Sequence, residues 1–94
     1  MPAILTPESV VRWSSDQIAA PVGGEVVIMS IERGSYYGLE DVAGDIWKRL
    51  EKPVQVRALF EALAEKYEAE SPVIERDVLK FLNELIEEGL VSVT

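Results

Sequence analysis

Apolar and polar positions divide the chain into two parts at about residue 40. The first part contains short apolar runs, rich in β-branched and aromatic residues, that are typical of strands. In the second part apolar residues recur every three or four positions, as they do on one face of an amphipathic helix. Strands followed by helices predict an α+β fold with segregated elements.

Three apolar runs in the first part predict three strands, SVVRWSS, EVVIMSI and SYYGL. The segment DQIAAPVGG, between the first two runs, is interpreted as a turn followed by an irregular return. The connection from Glu32 to Ser35 is short and contains a glycine, so the second and third strands are predicted to form an antiparallel hairpin.

The third predicted strand has two different faces. Alternation places Tyr37 and Leu39 on one face and Tyr36 and Gly38 on the other, so one tyrosine should enter the core. One interpretation is that both tyrosines simply fill an amphipathic strand. The other is that the last strand of a meander leaves a free edge, which can accept another chain by strand addition, with Gly38 allowing a close approach.

Two helices are predicted between residues 41 and 67. The first has Asp41 as its N-cap and carries apolar residues at helical spacing until Pro53 ends the run. The second begins near Val54 and ends at Tyr67, with its apolar residues on one face.

The third predicted helix has signals at both ends. Ser71 is expected to be the N-cap, with Pro72 at the first helical position and Glu75 near the acidic position of a capping box. Gly89 is expected to close the helix as its C-cap. The final segment LVSV is predicted as a short terminal strand.

The apolar surface of the third helix is wider than one packing contact requires. At about 100° per residue, it divides into a core stripe, an apolar shoulder on one flank and a charged second flank. The predicted stripe is Ile74, Val78, Phe81 and Leu85, the shoulder is Leu79, Leu82 and Ile86, and the charged flank is Asp77, Lys80 and Glu84. Either another element of the fold or a partner should cover the shoulder.

Composition limits the possible functions. The 94 residues predict one domain over residues 1–94, and the chain contains no cysteine and no histidine, which removes disulfides, zinc–thiolate sites and the usual nucleophilic triads. No apolar run approaches the roughly 20 residues of a membrane span, and the N-terminal segment lacks the basic region of a signal peptide. We therefore expect a cytoplasmic protein without a membrane partner.

No pattern in the chain predicts a catalytic centre, a metal site or a cofactor. Neighbouring carboxylates such as Glu61 and Glu65 lie on the polar faces of predicted helices, where solvation explains them. Ser14 and Ser15 have no histidine or evident lysine partner, and the Gly23–Gly24 pair matches no phosphate-binding loop. We expect that the protein is not an enzyme.

Three helices with flanking strands are typical of a winged-helix-like fold, so a DNA-binding regulator is one alternative. The net charge of −8 opposes contact with phosphates, because proteins that hold nucleic acid neutralise the phosphates with lysine and arginine. The exposed side of the third helix offers Arg76 and Lys80 against five acidic residues. We expect no nucleic-acid partner. A generic helical interaction module is a further alternative.

The chain from residue 26 to residue 93 resembles the PqqD-like proteins, which are also called RiPP precursor recognition elements. The resemblance lies first in Tyr37-x-Leu39, followed by Ile46-Trp47, and in the second helix, which ends at Tyr67. It continues in three short motifs, Asp77-Val78, Phe81-Leu82 and Gly89-Leu90-Val91. Within the family, GEVVIMSIERGSYYGLEDVAGDIW is most similar to the stand-alone leader-binding proteins of lasso-peptide clusters.

The resemblance implies a three-stranded antiparallel sheet followed by three helices, used to bind a peptide. The leader of a ribosomally made precursor would add as a strand to the third strand, against the third helix. In a lasso system a leader tyrosine and proline would enter an apolar pocket, and the partner enzyme would be a leader peptidase. In the alternative, pyrroloquinoline quinone biosynthesis, the partner would be a radical SAM enzyme.

The resemblance also implies which residues bind the peptide. On the strands these are expected to be Val27, Ser35, Tyr36, Tyr37, Gly38 and Leu39, and on the third helix Arg76, Leu79, Lys80, Leu82, Asn83 and Ile86. The shoulder would form the pocket wall, and Arg76 or Lys80 would meet acidic leader residues. A free edge strand can also pair with a second copy, so we expect a monomer or a weak dimer.

Overall fold

The computed structural model describes residues 5–15 and 17–94. Along the chain the elements are the strands β1 (Val10–Trp13), β2 (Gln17–Val22), β3 (Glu25–Ser30) and β4 (Tyr36–Leu39), then α1 (Asp41–Arg49), β5 (Val54–Gln55), α2 (Val56–Tyr67), α3 (Ser71–Glu87) and β6 (Val91–Val93). The predicted α+β class, with strands followed by three helices, is confirmed.

The sheet that precedes the helices has the strand order β2-β3-β4, with both pairs antiparallel. Its first strand is the segment that we interpreted as an irregular return, and that interpretation is wrong. All six residues of β2 pair with β3, from Gln17 opposite Ser30 to Val22 opposite Glu25. Gly23 and Gly24 form the two-residue turn between these strands, and Gly23 has a φ of +62°. Two glycines between apolar runs are a hairpin signal that the prediction overlooked.

The first predicted strand, β1, belongs to a second sheet, in which the strand order is β5-β1-β6. β1 is the central strand and pairs antiparallel with β5 on one side and with the C-terminal strand β6 on the other. Val11 lies opposite Val54 on one side and opposite Val93 on the other. The predicted terminal strand is thus confirmed. The prediction that the second helix begins near Val54 is two residues early, because Val54 and Gln55 form β5.

The helix ends differ in part from the predicted caps. Glu40 is the N-cap residue of α1 and Glu70 that of α3, and neither makes a side-chain capping bond, so Asp41 and Ser71 are first helical residues instead of caps. The predicted C-terminus of α3 is confirmed. The Leu90 N–H donates to the Leu85 carbonyl, the Gly89 N–H donates to that of Ile86, and Gly89 has a φ of +76°. These two bonds form a Schellman motif.

One hydrophobic core joins both sheets to the three helices. Trp47 is 1% exposed and stacks on Trp13 at a ring-centroid distance of 5.2 Å, and the Trp13 Nε1–H donates to the Trp47 carbonyl oxygen at 2.7 Å. The core residues of α3 are Ile74, Val78, Leu82 and Leu85. Within the part of the chain that the structure describes, no helix has the length and apolar character needed to span a membrane.

Candidate functional site

Strand β4 has a free edge. Among residues 5–15 and 17–94 it pairs with β3 alone, as the last strand of its sheet. The Ser30 N–H donates to the Ser35 carbonyl at 2.9 Å, which fixes that pair as hydrogen-bonded. Since hydrogen-bonded and non-hydrogen-bonded pairs alternate in an antiparallel ladder, the backbone groups of Tyr37 and Leu39 point toward β3. Those of Tyr36 and Gly38 point away from the sheet.

The opposite edge of the same sheet, formed by β2, is less suited to a guest strand. Pro21 lies within β2 and has no N–H to donate. Proline at an edge is one of the ways in which sheets avoid pairing with other chains. The unpaired backbone groups of β4 have no such protection, because each of its four residues keeps its N–H.

The side chains of β4 alternate as predicted. Tyr36 is 71% exposed on the outer face, whereas Leu39 is buried and Tyr37 is half-buried on the inner face. A Cβ at Gly38 would meet only Glu25 Oε1, at 3.6 Å, so the surface beside this residue is open. A second backbone can therefore approach β4 at Gly38.

A cluster of polar contacts joins β4 to the C-terminal end of α3. The Tyr37 hydroxyl donates to the Glu88 carboxylate. Arg33, in the turn before β4, forms an ion pair with Glu88 at 3.1 Å and donates to the Glu87 carbonyl at 3.0 Å. The hydrogen bond to Glu88 is the main reason why the pKa of Tyr37 is raised above its ordinary value, and burial acts in the same direction. We call this cluster, Arg33, Tyr37 and Glu88, the clasp.

The clasp defines which side of α3 lies toward β4. At about 100° per residue, Asp77, Phe81 and Glu84 lie within about 40° of Glu88 around the helix. Leu79 and Ile86 lie about 160–180° from Glu88 by the same count. The side of α3 nearest β4 is therefore the flank that carries Phe81 and the acidic residues, and the apolar shoulder lies on the far flank.

An apolar groove runs between α1 and α3, close to the end of β4. Its volume is about 360 Å³, and its floor is formed by core residues of all three helices. Val42 of α1 and Val73 of α3, each 40% exposed, form its rim together with the half-buried Phe81. Asp77 is the only charged residue among the described residues that line the groove. Val42 follows Leu39, the last residue of β4, by three positions in the sequence, so the groove begins shortly after the strand ends.

The expected binding residues outside β4 lie on β3, in the turn before β4 and on α3. Val27 lies opposite Gly38 on the outer face of β3, and the half-buried Ser35 precedes Tyr36. On α3, Arg76 and Lys80 are exposed and Asn83 is half-buried.

Two of the expected positions are corrected. Leu82 is 0% exposed and Leu39 is 9% exposed, so both pack in the core and neither lines an open pocket. Leu79 and Ile86 are half-buried and pack against the core. The predicted shoulder is thus largely covered by the protein itself.

Three residues that line the groove were missed by the prediction. Phe81 was assigned to the core stripe, and neither Val42 nor Val73 was singled out as a binding residue. Helical periodicity gives angles around one helix, but it does not say which flank faces the sheet. Ile74, Val78 and Leu85 remain in the core as predicted, and the replacement of Phe81 by Leu82 turns the centre of the buried stripe by about 25° around α3.

Two polar contacts border the groove and the edge. Glu40 follows β4 and lies beside Glu25, and the pKa of Glu40 is raised because its protonated form can share a hydrogen bond with Glu25 and because the two negative charges repel each other. In α1, burial raises the pKa of Asp45, but hydrogen bonds from Lys66 and Tyr67 outweigh it, so the pKa is lowered overall. Within residues 5–15 and 17–94, no three carboxylates converge in a way that could hold a metal ion.

Fold and site together define a winged-helix-like α+β protein with a free strand edge beside an apolar groove. The family model for PqqD, coenzyme PQQ synthesis protein D, matches residues 25–91. The chain therefore belongs to the PqqD family, and the resemblance stated from the sequence is confirmed. A search of curated proteins returns no match.

Three solved structures are similar over most of the chain. TbiB1, solved in complex with the TbiA(beta) leader peptide, is 30% identical with a TM-score of 0.80, and the match covers 86% of this chain and 94% of TbiB1. A lasso peptide synthetase B1 complexed with the leader peptide is 24% identical with a TM-score of 0.72, over 87% and 96% of the two chains.

The third structure is the PqqD truncation of Methylobacterium extorquens PqqCD, described as a functional and stand-alone RiPP recognition element. It is 22% identical with a TM-score of 0.78, and the match covers 97% of both chains. At this identity, as at 24%, the similarity establishes the fold alone.

Proposed function

We propose that this protein binds the leader segment of a ribosomally made precursor peptide and presents it to a maturation enzyme. The leader adds as a strand to β4. The observation that carries the proposal is the set of outward-pointing backbone groups of Tyr36 and Gly38, next to the apolar groove. Strand addition provides affinity through the backbone, while pockets for alternate side chains provide selectivity.

The two faces of the guest strand have different surroundings. Side chains on the inner side of the leader lie next to Tyr37 and Leu39 and point toward the flank of α3 that carries Phe81. Where the leader passes the end of β4, an apolar or aromatic side chain enters the groove between Val42 and Val73. In this proposal Val42, Val73 and Phe81 provide the apolar contacts that we had expected from the shoulder.

The finer assignment is to lasso-peptide biosynthesis, with a leader peptidase as the enzyme that receives the leader. It is supported by the 30% identity to TbiB1, which was solved with a leader peptide, together with the similar fold of a lasso peptide synthetase B1 that was also solved with a leader peptide. Synthesis of coenzyme PQQ is the second candidate, because the matching family model carries that description. In both cases the protein contributes recognition, and we assign it no catalytic step.

Amide hydrogen exchange tests the proposed binding mode directly. Before leader addition, the Tyr37 and Leu39 amides should be protected by pairing with β3, while the Tyr36 and Gly38 amides exchange rapidly. A synthetic leader from the precursor encoded beside this chain should protect Tyr36 and Gly38 as well. A leader that binds without protecting these two amides would show that it lies elsewhere.

A further inference from the structure

The outer face of the β2-β3-β4 sheet is apolar and uncovered in the described structure. Cross-strand pairing places Ile18 beside Met29 and Met29 beside Tyr36 in one row. In the next row Ala20 lies beside Val27, which lies beside Gly38. We call these positions, together with Val22, the outer band. Ile18 is 55% exposed, Val22 is 56% exposed and Tyr36 is 71% exposed.

The fold itself does not require this surface to be apolar. The inner face of the same sheet provides the core residues Val26, Ile28 and Leu39. The outer positions of an antiparallel sheet that covers a core on one side are normally polar. In a chain with 28% charged residues, the exposed apolar side chains of three adjacent strands instead form a continuous surface. Contiguous apolar patches of this kind mark interaction sites.

The charges around the outer band are acidic. Glu25 and Glu40 lie together at one end of the sheet, and Glu32 lies in the turn at the other end. The nearby Arg33 is already paired with Glu88. Two copies of this chain meeting face to face would bring acidic rims together, in a protein of net charge −8. The charge pattern instead fits a different protein, with an apolar patch bordered by lysine and arginine.

The outer band is continuous with the edge to which the leader is proposed to add. Tyr36 belongs to both, since its side chain lies on the outer face and its backbone groups point to the free edge. A strand paired with β4 places alternate side chains on the outer face, next to Tyr36. The bound leader would therefore extend the outer face of the sheet from three strands to four.

We propose that the outer band is the docking surface for the enzyme that processes the leader, and that this enzyme binds through an apolar patch with a basic rim. This inference rests on the proposed function. Because the leader extends this face of the sheet, the enzyme binds the leader-loaded protein more tightly than the free protein. Docking on this face also leaves the groove and α3 free to hold the leader.

The test compares Ile18→Lys with the matched variant Val93→Lys. Ile18 lies on β2, two strands away from the leader edge, and Val93 is an exposed β-branched apolar residue (39%) on the other sheet. The synthetic leader and the processing enzyme encoded beside this chain serve as probes. Leader affinity is measured by fluorescence anisotropy, enzyme affinity by surface plasmon resonance with and without the leader, and self-association by light scattering.

The expected result is that Ile18→Lys binds the leader within about threefold of the unmodified protein but loses at least about tenfold in enzyme affinity. Val93→Lys should change neither affinity. Because Ile18 is a surface residue, retained leader binding also shows that the variant is folded.

Other outcomes overturn the inference. Unchanged enzyme affinity for Ile18→Lys, with leader binding intact, would reject the outer band as the docking surface and leave the proposed function standing. A dimer of the unmodified protein that Ile18→Lys dissociates would assign the surface to a second copy. Failure of the unmodified protein to bind the leader would remove the proposed function itself.

Discussion

The Tyr37 hydroxyl donates a hydrogen bond to the Glu88 carboxylate, which links the inner face of β4 to the C-terminal end of α3. This contact places the flank of α3 that carries Phe81, and not its apolar shoulder, toward the free edge. With Arg33 paired to the same carboxylate, the clasp closes one end of the space between the strand and the helix. The groove between α1 and α3 lies toward the other end.

Glu88→Gln should lower the pKa of Tyr37 toward its ordinary value of 10.0, because the charged acceptor is the main cause of the upward shift. NMR titration of ring-labelled tyrosine measures this change, and Glu87→Gln is the control because only the backbone carbonyl of Glu87 contacts the clasp. Because the pKa of Tyr37 is higher in the folded than in the unfolded protein, its hydrogen bond stabilises the fold fully below the unfolded pKa of about 10. This stabilisation is lost as the pH rises through the pKa of the folded protein. An unchanged Tyr37 pKa in Glu88→Gln would contradict the assignment of this hydrogen bond.

Gly38→Pro should weaken leader binding by about tenfold or more. Proline removes an N–H that points to the free edge and places its ring where the guest backbone would lie. The bonds between β3 and β4 should persist, because they involve Tyr37 and Leu39. Fluorescence anisotropy with labelled leader measures the affinity.

Gly38→Ala is the matched control for this variant. A Cβ at Gly38 has room beside Glu25, so the alanine variant should bind within about threefold of the unmodified protein. Equal binding by the proline and alanine variants, with circular dichroism unchanged, would place the leader away from this edge.

Val73→Glu should reduce leader affinity by at least about tenfold, since a charged side chain on the rim of the apolar groove opposes burial of an apolar leader side chain. Val93→Glu is the control, because Val93 has nearly the same exposure but lies on the other sheet. Isothermal titration of both variants measures the difference. If the two variants bind equally, the groove does not hold the leader.

Asp45→Asn should lower the free energy of unfolding by about 1–2 kcal/mol at pH 7, because this mostly buried carboxylate accepts bonds from Arg49, Lys66 and Tyr67. The pKa of Asp45 is lowered in the folded state. Its contribution is therefore present above the unfolded pKa, near 4, and is lost as the pH falls through the folded value.

Urea denaturation at pH 7 and at pH 3 checks this prediction. The difference between Asp45→Asn and the unmodified protein should shrink at the lower pH. Asp77→Asn should change stability by less than about 0.5 kcal/mol, because Asp77 pairs with Arg76 on the surface. A difference for Asp45→Asn that is the same at both values would mean that the carboxylate charge does not stabilise the fold.

Gly89→Ala should destabilise the protein by about 1 kcal/mol. No atom lies within 4 Å of a Cβ at this position, so the cost comes from the left-handed backbone conformation, with φ at +76°, and not from a clash. Gly24→Ala, where φ is not in the left-handed region and a Cβ also meets nothing, should cost less. Thermal unfolding of both variants compares them, and equal midpoints would contradict the backbone explanation.

Local signals predicted much of the fold. The short connection after Ile31, the faces of Tyr36 and Tyr37, and the C-cap at Gly89 follow from turn chemistry and alternation, and all three are confirmed. The caps predicted at Asp41 and Ser71 were each displaced by one residue, since the neighbouring glutamates occupy the N-cap positions without side-chain bonds.

Long-range relationships could not be predicted from local signals. Val10–Trp13 pairs with strands more than 40 residues away in the sequence, and no local pattern indicates that partner. Similarly, the orientation of α3 depends on Glu88 meeting Tyr37, a contact between residues 51 positions apart. The edge strand could therefore be predicted from the sequence, whereas the groove beside it could not.

The most direct test of the central claim is isothermal titration of the unmodified protein with the synthetic leader of the neighbouring precursor and with a scrambled leader of the same composition. We predict saturable one-to-one binding of the native leader and at least about tenfold weaker binding of the scrambled one. If neither peptide binds, or if both bind equally, this protein does not recognise the leader.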